Sequence, residues 1–292
     1  MLIKVVNDRL TRISNMFSEL GLDRVKVFED FDPQLRAAKL ISYRCSSLTP
    51  HILFTNALVT YQLSMDGETY WMKFAELVSD LCPSSYDDVL EVVIKVLKKL
   101  HKFAVNEKEK RLNKLRLCMD IYDLISGGDF NLIRSRVSKC LGAGINDKTI
   151  VFSIKMIYYG VKSLGRDILL PFDIPIPIDR RVVKISYTSG LIGIEGLSHY
   201  TSDKYIPYDK VIRSKQSLNI LRDAWSKVSL ESSIPPLHLD TVLWLIGKYC
   251  SSGSKTQAFN SLIHDLGEEI LERVGVKYVK MLIHELLYRL PQ

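Results

Sequence analysis

Residues 141–183 read LGAGINDKTIVFSIKMIYYGVKSLGRDILLPFDIPIPIDRRVV, and the fold class turns on this stretch. Gly142 and Gly144 predict a tight turn, because glycine reaches positive φ and lets a ligand approach the backbone. Asn146 and Asp147 follow, and the pattern then predicts a helix from Lys148 to Leu164. A glycine turn feeding a helix N-terminus can offer amide groups to an anion such as a phosphate, here at Gly142, Gly144 and Ile145. Lys148, Phe152, Lys155 and Tyr159 recur at three- and four-residue steps, and at about 100° per residue they share one face. The opposite face carries Ile150, Val151, Ile154 and Ile157, which suits a core. On periodicity alone the first face is either solvated, with its aromatics as spacers, or a functional stripe. Beyond it, Pro171, Pro175 and Pro177 fix the backbone and remove amide donors. Asp179 ends that rigid run. It reads either as the cap of a following helix or as a preorganised carboxylate.

Outward from this segment, helical periodicity dominates. Val5, Val6, Leu10, Ile13, Phe17 and Leu20 form one stripe within residues 2–20. Further helices are expected over 35–44, 50–64, 67–82, 86–104, 109–125 and 132–140. Others are expected over 203–228, 239–250 and 256–289. Ser84 or Ser85 can cap the 86–104 helix, and Gly127-Gly128 is a break. Strand-like alternation is scarce, with Val182–Tyr187 the best candidate. The expectation is an all-α fold.

Hydrophobic residues make up 47% and charged residues 25% of the 292, which excludes a disordered chain or a fibre. The net charge of +7 is modest but favours polyanionic partners. Lys95–Arg116 concentrates it, with nine Lys/Arg against Glu107 and Glu109. That run reads first as a solvated helix pair and second as a phosphate-facing surface. The five cysteines form no C-x-x-C pair, which argues against structural zinc and against a four-cysteine iron–sulfur cluster. Their odd count and wide spacing predict free, mostly buried thiols in a reducing compartment. No apolar run suits a signal peptide or a membrane span, so a cytoplasmic protein without membrane contact is expected.

Several blocks together resemble the archaeal 8-oxoguanine DNA glycosylases, the AGOG family of the helix-hairpin-helix glycosylases. They are DPQLRAA from Asp32, NALVTYQLSMDGETYW ending at Trp71, DKTIVFSIKM, FDIPIPID, and IPPLHLDTVLWL over 234–245. The blocks span roughly residues 30–250 in order. Two features depart from related glycosylases outside this branch. The hairpin reads LGAGIND rather than L-P-G-x-G, and the gap from Lys148 to Asp179 is longer.

The resemblance implies a bilobal, monomeric enzyme with its active site between two helical subdomains. The hairpin and Pro-rich loop would occupy about 129–187, with 1–128 and 188–292 as the remaining lobes. It implies that Lys148 is the nucleophile, forming a Schiff base with C1′ of the deoxyribose, and that Asp179 is the essential carboxylate. A lysine attacks only as the neutral amine. Burial, the helix N-terminus and the nearby ammonium of Lys155 are expected to favour that form. The flipped base would meet Gln34, Trp71, Phe152, Lys155, Pro177, Asp240 and Trp244. The Pro177 carbonyl could accept the N7–H that 8-oxoguanine has and guanine lacks. No cofactor and no metal are expected, and damaged DNA is the expected partner. Two other readings stay open: a glycosylase for another damaged base, and a non-catalytic helix-hairpin-helix DNA-binding protein. Against the latter, simple binding needs neither Lys148 nor Asp179.

Overall fold

Short polar side chains start seven of the helices. Asp32, Asp66, Ser85, Asp129, Asp179, Ser214 and Ser254 each accept a hydrogen bond from a backbone N–H two or three residues on. The structure, a computed structural model, describes residues 3–197 and 207–292. In chain order its elements begin with β1 (Ile3–Val5), α1 (Asn7–Asp30), α2 (Pro33–Cys45), α3 (Thr49–Ala57) and α4 (Gly67–Leu81). There follow α5 (Tyr86–Leu100), α6 (Val105–Leu115), α7 (Asp120–Gly127), α8 (Phe130–Leu141) and α9 (Lys148–Ser163). The remainder are α10 (Arg180–Thr188), β2 (Ile192–Ile194), α11 (Tyr208–Arg213), α12 (Lys215–Ser232), α13 (Pro236–Gly247), α14 (Lys255–Leu266), α15 (Glu269–Val274) and α16 (Val276–Leu286). No helix among the described residues is long and apolar enough to cross a membrane.

These elements fall into two compact units, residues 32–171 and residues 1–31 with 172–292. In the first, α9 packs against α3 and α2, and α2 also packs against α4. Beyond Thr149, α9 is buried through Gly160, so the face carrying Phe152, Lys155 and Tyr159 is not solvated. In the second unit, α1 packs against α12, α13 and α16, and α10 packs against α13. Its core includes Phe17, Phe28, Trp225, Leu239 and Leu282.

The expected all-α class holds, with several local corrections. Residues 3–5 are not helical. They pair antiparallel with residues 192–194, with Ile3 opposite Ile194. Val182–Tyr187 is helix α10 rather than a strand, because Asp179 caps it and Val182, Val183, Ile185 and Ser186 are all buried. The expected 109–125 helix is divided between α6 and α7, and the 256–289 helix is divided among α14, α15 and α16. The start of the expected 203–228 helix, at 203–206, lies outside the described residues; the rest breaks at Ser214.

The cysteine expectation fails for four of the five. Cys45 is bonded to Cys82 with Cα atoms 5.4 Å apart, and Cys118 to Cys140 at 6.3 Å. Cys250 is free and buried. Each bond joins helix-end segments of the 32–171 unit, a pairing that sequence spacing does not encode. The 129–187 segment is not one unit either. The hairpin and Lys148 belong to residues 32–171, and Asp179 to the other unit.

Candidate active site

In the 32–171 unit the hairpin satisfies its own polar groups. Gly142 ends α8 with φ 61°, a conformation that favours glycine. Its N–H donates to the Lys139 carbonyl at 3.2 Å, and the Ala143 N–H donates to the Ser138 carbonyl at 3.0 Å. The Gly144 N–H donates to the Asp147 carboxylate at 2.8 Å. The expectation of amides open to a phosphate is therefore corrected at Gly142 and Gly144. Ile145 is exposed at the tip.

Lys148 is the first residue of α9 and its side chain is exposed, so burial does not act on it as expected. The helix N-terminus does supply positive potential there. A further cation stands close by: Arg111 of α6 donates to the Thr149 hydroxyl at 3.0 Å. Burial lowers the Arg111 pKa, while the negative charge of Asp147 works the other way.

Four of the expected base-binding residues belong to this unit. Phe152 and Trp71 are buried and meet edge-on, with ring centroids 6.0 Å apart. Trp71 in turn meets Tyr70 edge-on at 5.9 Å. A buried chain of hydrogen bonds holds Tyr70. Its hydroxyl donates to Asn56 Oδ1 at 2.6 Å, and His101 Nε2 lies 3.0 Å from the same hydroxyl. Lys108 Nζ is 2.7 Å from His101 Nδ1. Burial, and then the charge of Lys108, press the His101 pKa down to about 4, while burial lowers Lys108 to about 8. A neutral imidazole accepting from Lys108 and donating to Tyr70 satisfies every distance. Lys108 is thus a core residue, not part of a solvated basic face.

Gln34 is 4% exposed, and its Oε1 is buried with no hydrogen-bond partner. Leaving a buried acceptor unmet is costly, which marks the position as one suited to a ligand donor. Lys155 is buried and lies 3.5 Å from the Asp32 carboxylate. It therefore sits against a carboxylate and is not the bare neighbouring cation expected for Lys148.

In the other unit, Ile174 to Ile178 are buried and lead to Asp179, which is half-buried. Asp179 Oδ1 accepts the Val182 N–H at 2.9 Å, so the capping role is real. Pro177 lies within the buried run. On α13, Asp240 is buried and Trp244 is half-buried one turn later. The buried His238–Glu29 contact of 2.7 Å ties α13 to α1. Arg181 lies over the Trp244 ring at 4.1 Å and donates to the Trp244 carbonyl at 3.1 Å. Gly247 makes room for it: a Cβ there would come within 2.8 Å of Arg181 Cγ.

Sequence reasoning assigned no individual role to Asp32 or Arg181, and took Tyr159 only as part of the α9 stripe and Arg111 only as part of the basic run. Only Asp32 carried a local signal, as a capping residue before Pro33. The others act through residues distant in the chain.

Known proteins resemble this chain along most of its length. The AGOG family, described as N-glycosylase/DNA lyase, matches residues 14–277. An N-glycosylase/DNA lyase of Pyrobaculum aerophilum is 31% identical over 247 residues, 82% of this chain and 86% of that protein. One from Nanoarchaeum equitans is 31% identical over 199 residues, 67% of this chain and 73% of that protein. Among solved structures, the 8-oxoguanine DNA glycosylase of P. aerophilum in complex with 8-oxoguanosine superposes with a TM-score of 0.72. It is 27% identical, with 92% of this chain and 97% of that chain covered.

Proposed function

The chain belongs to the AGOG family of N-glycosylase/DNA lyases, and from that premise we propose that it excises 8-oxoguanine from DNA and then cleaves the strand. Lys148 is the nucleophile. Its neutral amine attacks C1′ as the glycosidic bond breaks, and the base departs with the bond electrons. The nitrogen of this adduct sheds a proton, the C1′–O4′ bond opens with its electrons and a proton going to O4′, and the resulting protonated imine acidifies C2′. Loss of a C2′ proton expels the 3′ phosphate by β-elimination. Asp179 acts as the carboxylate that stabilises the oxocarbenium-like sugar and assists the proton transfers. Its half-buried position and its bond to the Val182 N–H support a carboxylate fixed in place.

Phe152 and Trp244 supply stacking faces for the base, and Trp71, Gln34, Lys155, Pro177 and Asp240 supply its further contacts. The Pro177 carbonyl accepts N7–H from 8-oxoguanine. Guanine would present an acceptor there instead and lose more than a hydrogen bond. The protein acts on damaged DNA as a monomer in the cytoplasm.

The observation that carries the reading is Lys148 at the first position of α9, directly after the hairpin. Borohydride trapping on 8-oxoguanine DNA tests it. Lys148→Gln should fold and form no trapped complex. If it still traps while Lys155→Gln does not, Lys155 is the nucleophile and the assignment is wrong.

A further inference from the structure

Lys155 and Tyr159, one turn apart on α9, converge on one carboxylate. Asp32 is fully buried, and its two oxygens divide their work. Oδ1 accepts the Gln34 N–H at 2.9 Å. Oδ2 accepts the Tyr159 hydroxyl at 2.8 Å and lies 3.5 Å from Lys155 Nζ. Helix capping alone does not explain this arrangement. A cap needs one oxygen and works well in water, whereas this carboxylate and its ammonium are both removed from solvent. Buried ion pairs of this kind are weak sources of stability, since desolvation consumes most of their attraction. Two of the three residues that meet Asp32 in this network, Gln34 and Lys155, are also polar groups assigned above to the base. Gln34 meanwhile keeps a buried Oε1 without a partner.

We propose that Asp32 is a positioning residue for base recognition. It fixes the first turn of α2 beneath Gln34 and holds Lys155 as an ammonium, so that an open amide acceptor and a charged donor are set for the polar edge of the extruded oxopurine. The inference rests on the 8-oxoguanine reading. It also gives a reason why Lys155 does not compete with Lys148: a protonated amine held by a carboxylate has no lone pair to attack with.

The test compares two substrates on the full chain. One is duplex DNA containing 8-oxoguanine; the other carries a preformed abasic site, which has no base to recognise. Asp32→Asn keeps a capping oxygen but removes the charge. Its single-turnover excision of 8-oxoguanine should fall about tenfold or more, a loss typical of misplaced binding groups. Cleavage of the abasic site should stay within about threefold of wild type. Tyr159→Phe removes one donor to the same carboxylate and should show the same split in smaller measure. It serves as the deciding variant if Asp32→Asn does not fold. Equal losses on both substrates would make Asp32 structural only, and unchanged excision would remove its role altogether. Wild-type protein that fails to excise 8-oxoguanine would overturn the underlying reading, and this role with it. An unsplit response beside an active wild type overturns the role of Asp32 alone.

Discussion

Lys148 and Lys155 lie two turns apart on α9 and differ in almost every physical respect. Lys148 opens the helix and is exposed. Lys155 is 1% exposed and sits against the buried Asp32 carboxylate. Burial alone would disfavour an ammonium, but a carboxylate beside it favours one. On the proposed assignment, depth does not mark the nucleophile: an exposed Lys148 can reach a sugar and release its proton to solvent, whereas Lys155, against Asp32, is placed for recognition.

The largest expected effect comes from erasing the first member of the pair. Lys148→Gln should reduce both excision and abasic-site cleavage to background, while Lys155→Gln should lower excision far more than cleavage. Comparable losses on both substrates for Lys155→Gln would dissolve the distinction. Next in size is Asp179→Asn, which keeps the bond to the Val182 N–H but loses the charge. Single-turnover excision should fall about 100- to 1000-fold, the scale of a lost electrostatic stabiliser. The melting temperature should move little, since capping residues exchange for well under about 2 kcal/mol. Near-normal excision would leave Asp179 as a cap and nothing more.

Smaller effects separate stacking from selectivity. Stacking contributes about 1–3 kcal/mol per base and tolerates any base. Trp244→Ala should therefore weaken all purine substrates alike. Replacing N7 of the lesion by carbon, with the 8-oxo group kept, should slow excision selectively. A carbon analogue processed as fast as 8-oxoguanine would shift selectivity to the 8-oxo group or the Watson–Crick edge.

The smallest effect concerns the basic run. Lys110 and Lys114 are exposed, whereas Lys108 is buried against His101. The pair Lys110→Ala and Lys114→Ala should shallow the salt dependence of DNA binding by up to about 0.9 per lost phosphate contact. Lys108→Met should leave the slope unchanged. A slope altered by Lys108→Met but not by the other two would invert this assignment.

Local features were legible in the sequence. Lys148 at the start of α9 follows from the glycine turn before it, and Asp179 as a cap follows from the rigid proline run and its position. The Gly127-Gly128 break and the Ser85 cap are of the same kind. Non-local features were not legible. Asp32 meets Tyr159 across 127 residues, and Arg181 meets the Trp244 carbonyl across 63. Nothing in either neighbourhood announces its partner. Val182–Tyr187 looked like a strand because Val182, Val183, Ile185 and Tyr187 are β-branched or aromatic, the residue types that strands favour. Residues 3–5 looked helical because a three-residue strand is too short to show alternation, and its partner lies near residue 193. The hairpin amides were misjudged because Asp147, read only as a residue before the helix, turns back onto Gly144.

The central claim is that one particular lysine carries the covalent chemistry. Borohydride reduction of wild-type protein on 8-oxoguanine DNA, followed by proteolysis and mass mapping of the modified peptide, reads that residue directly. The deoxyribose remnant is expected on Lys148 and not on Lys155. A remnant on Lys155, or on any other lysine, would contradict it.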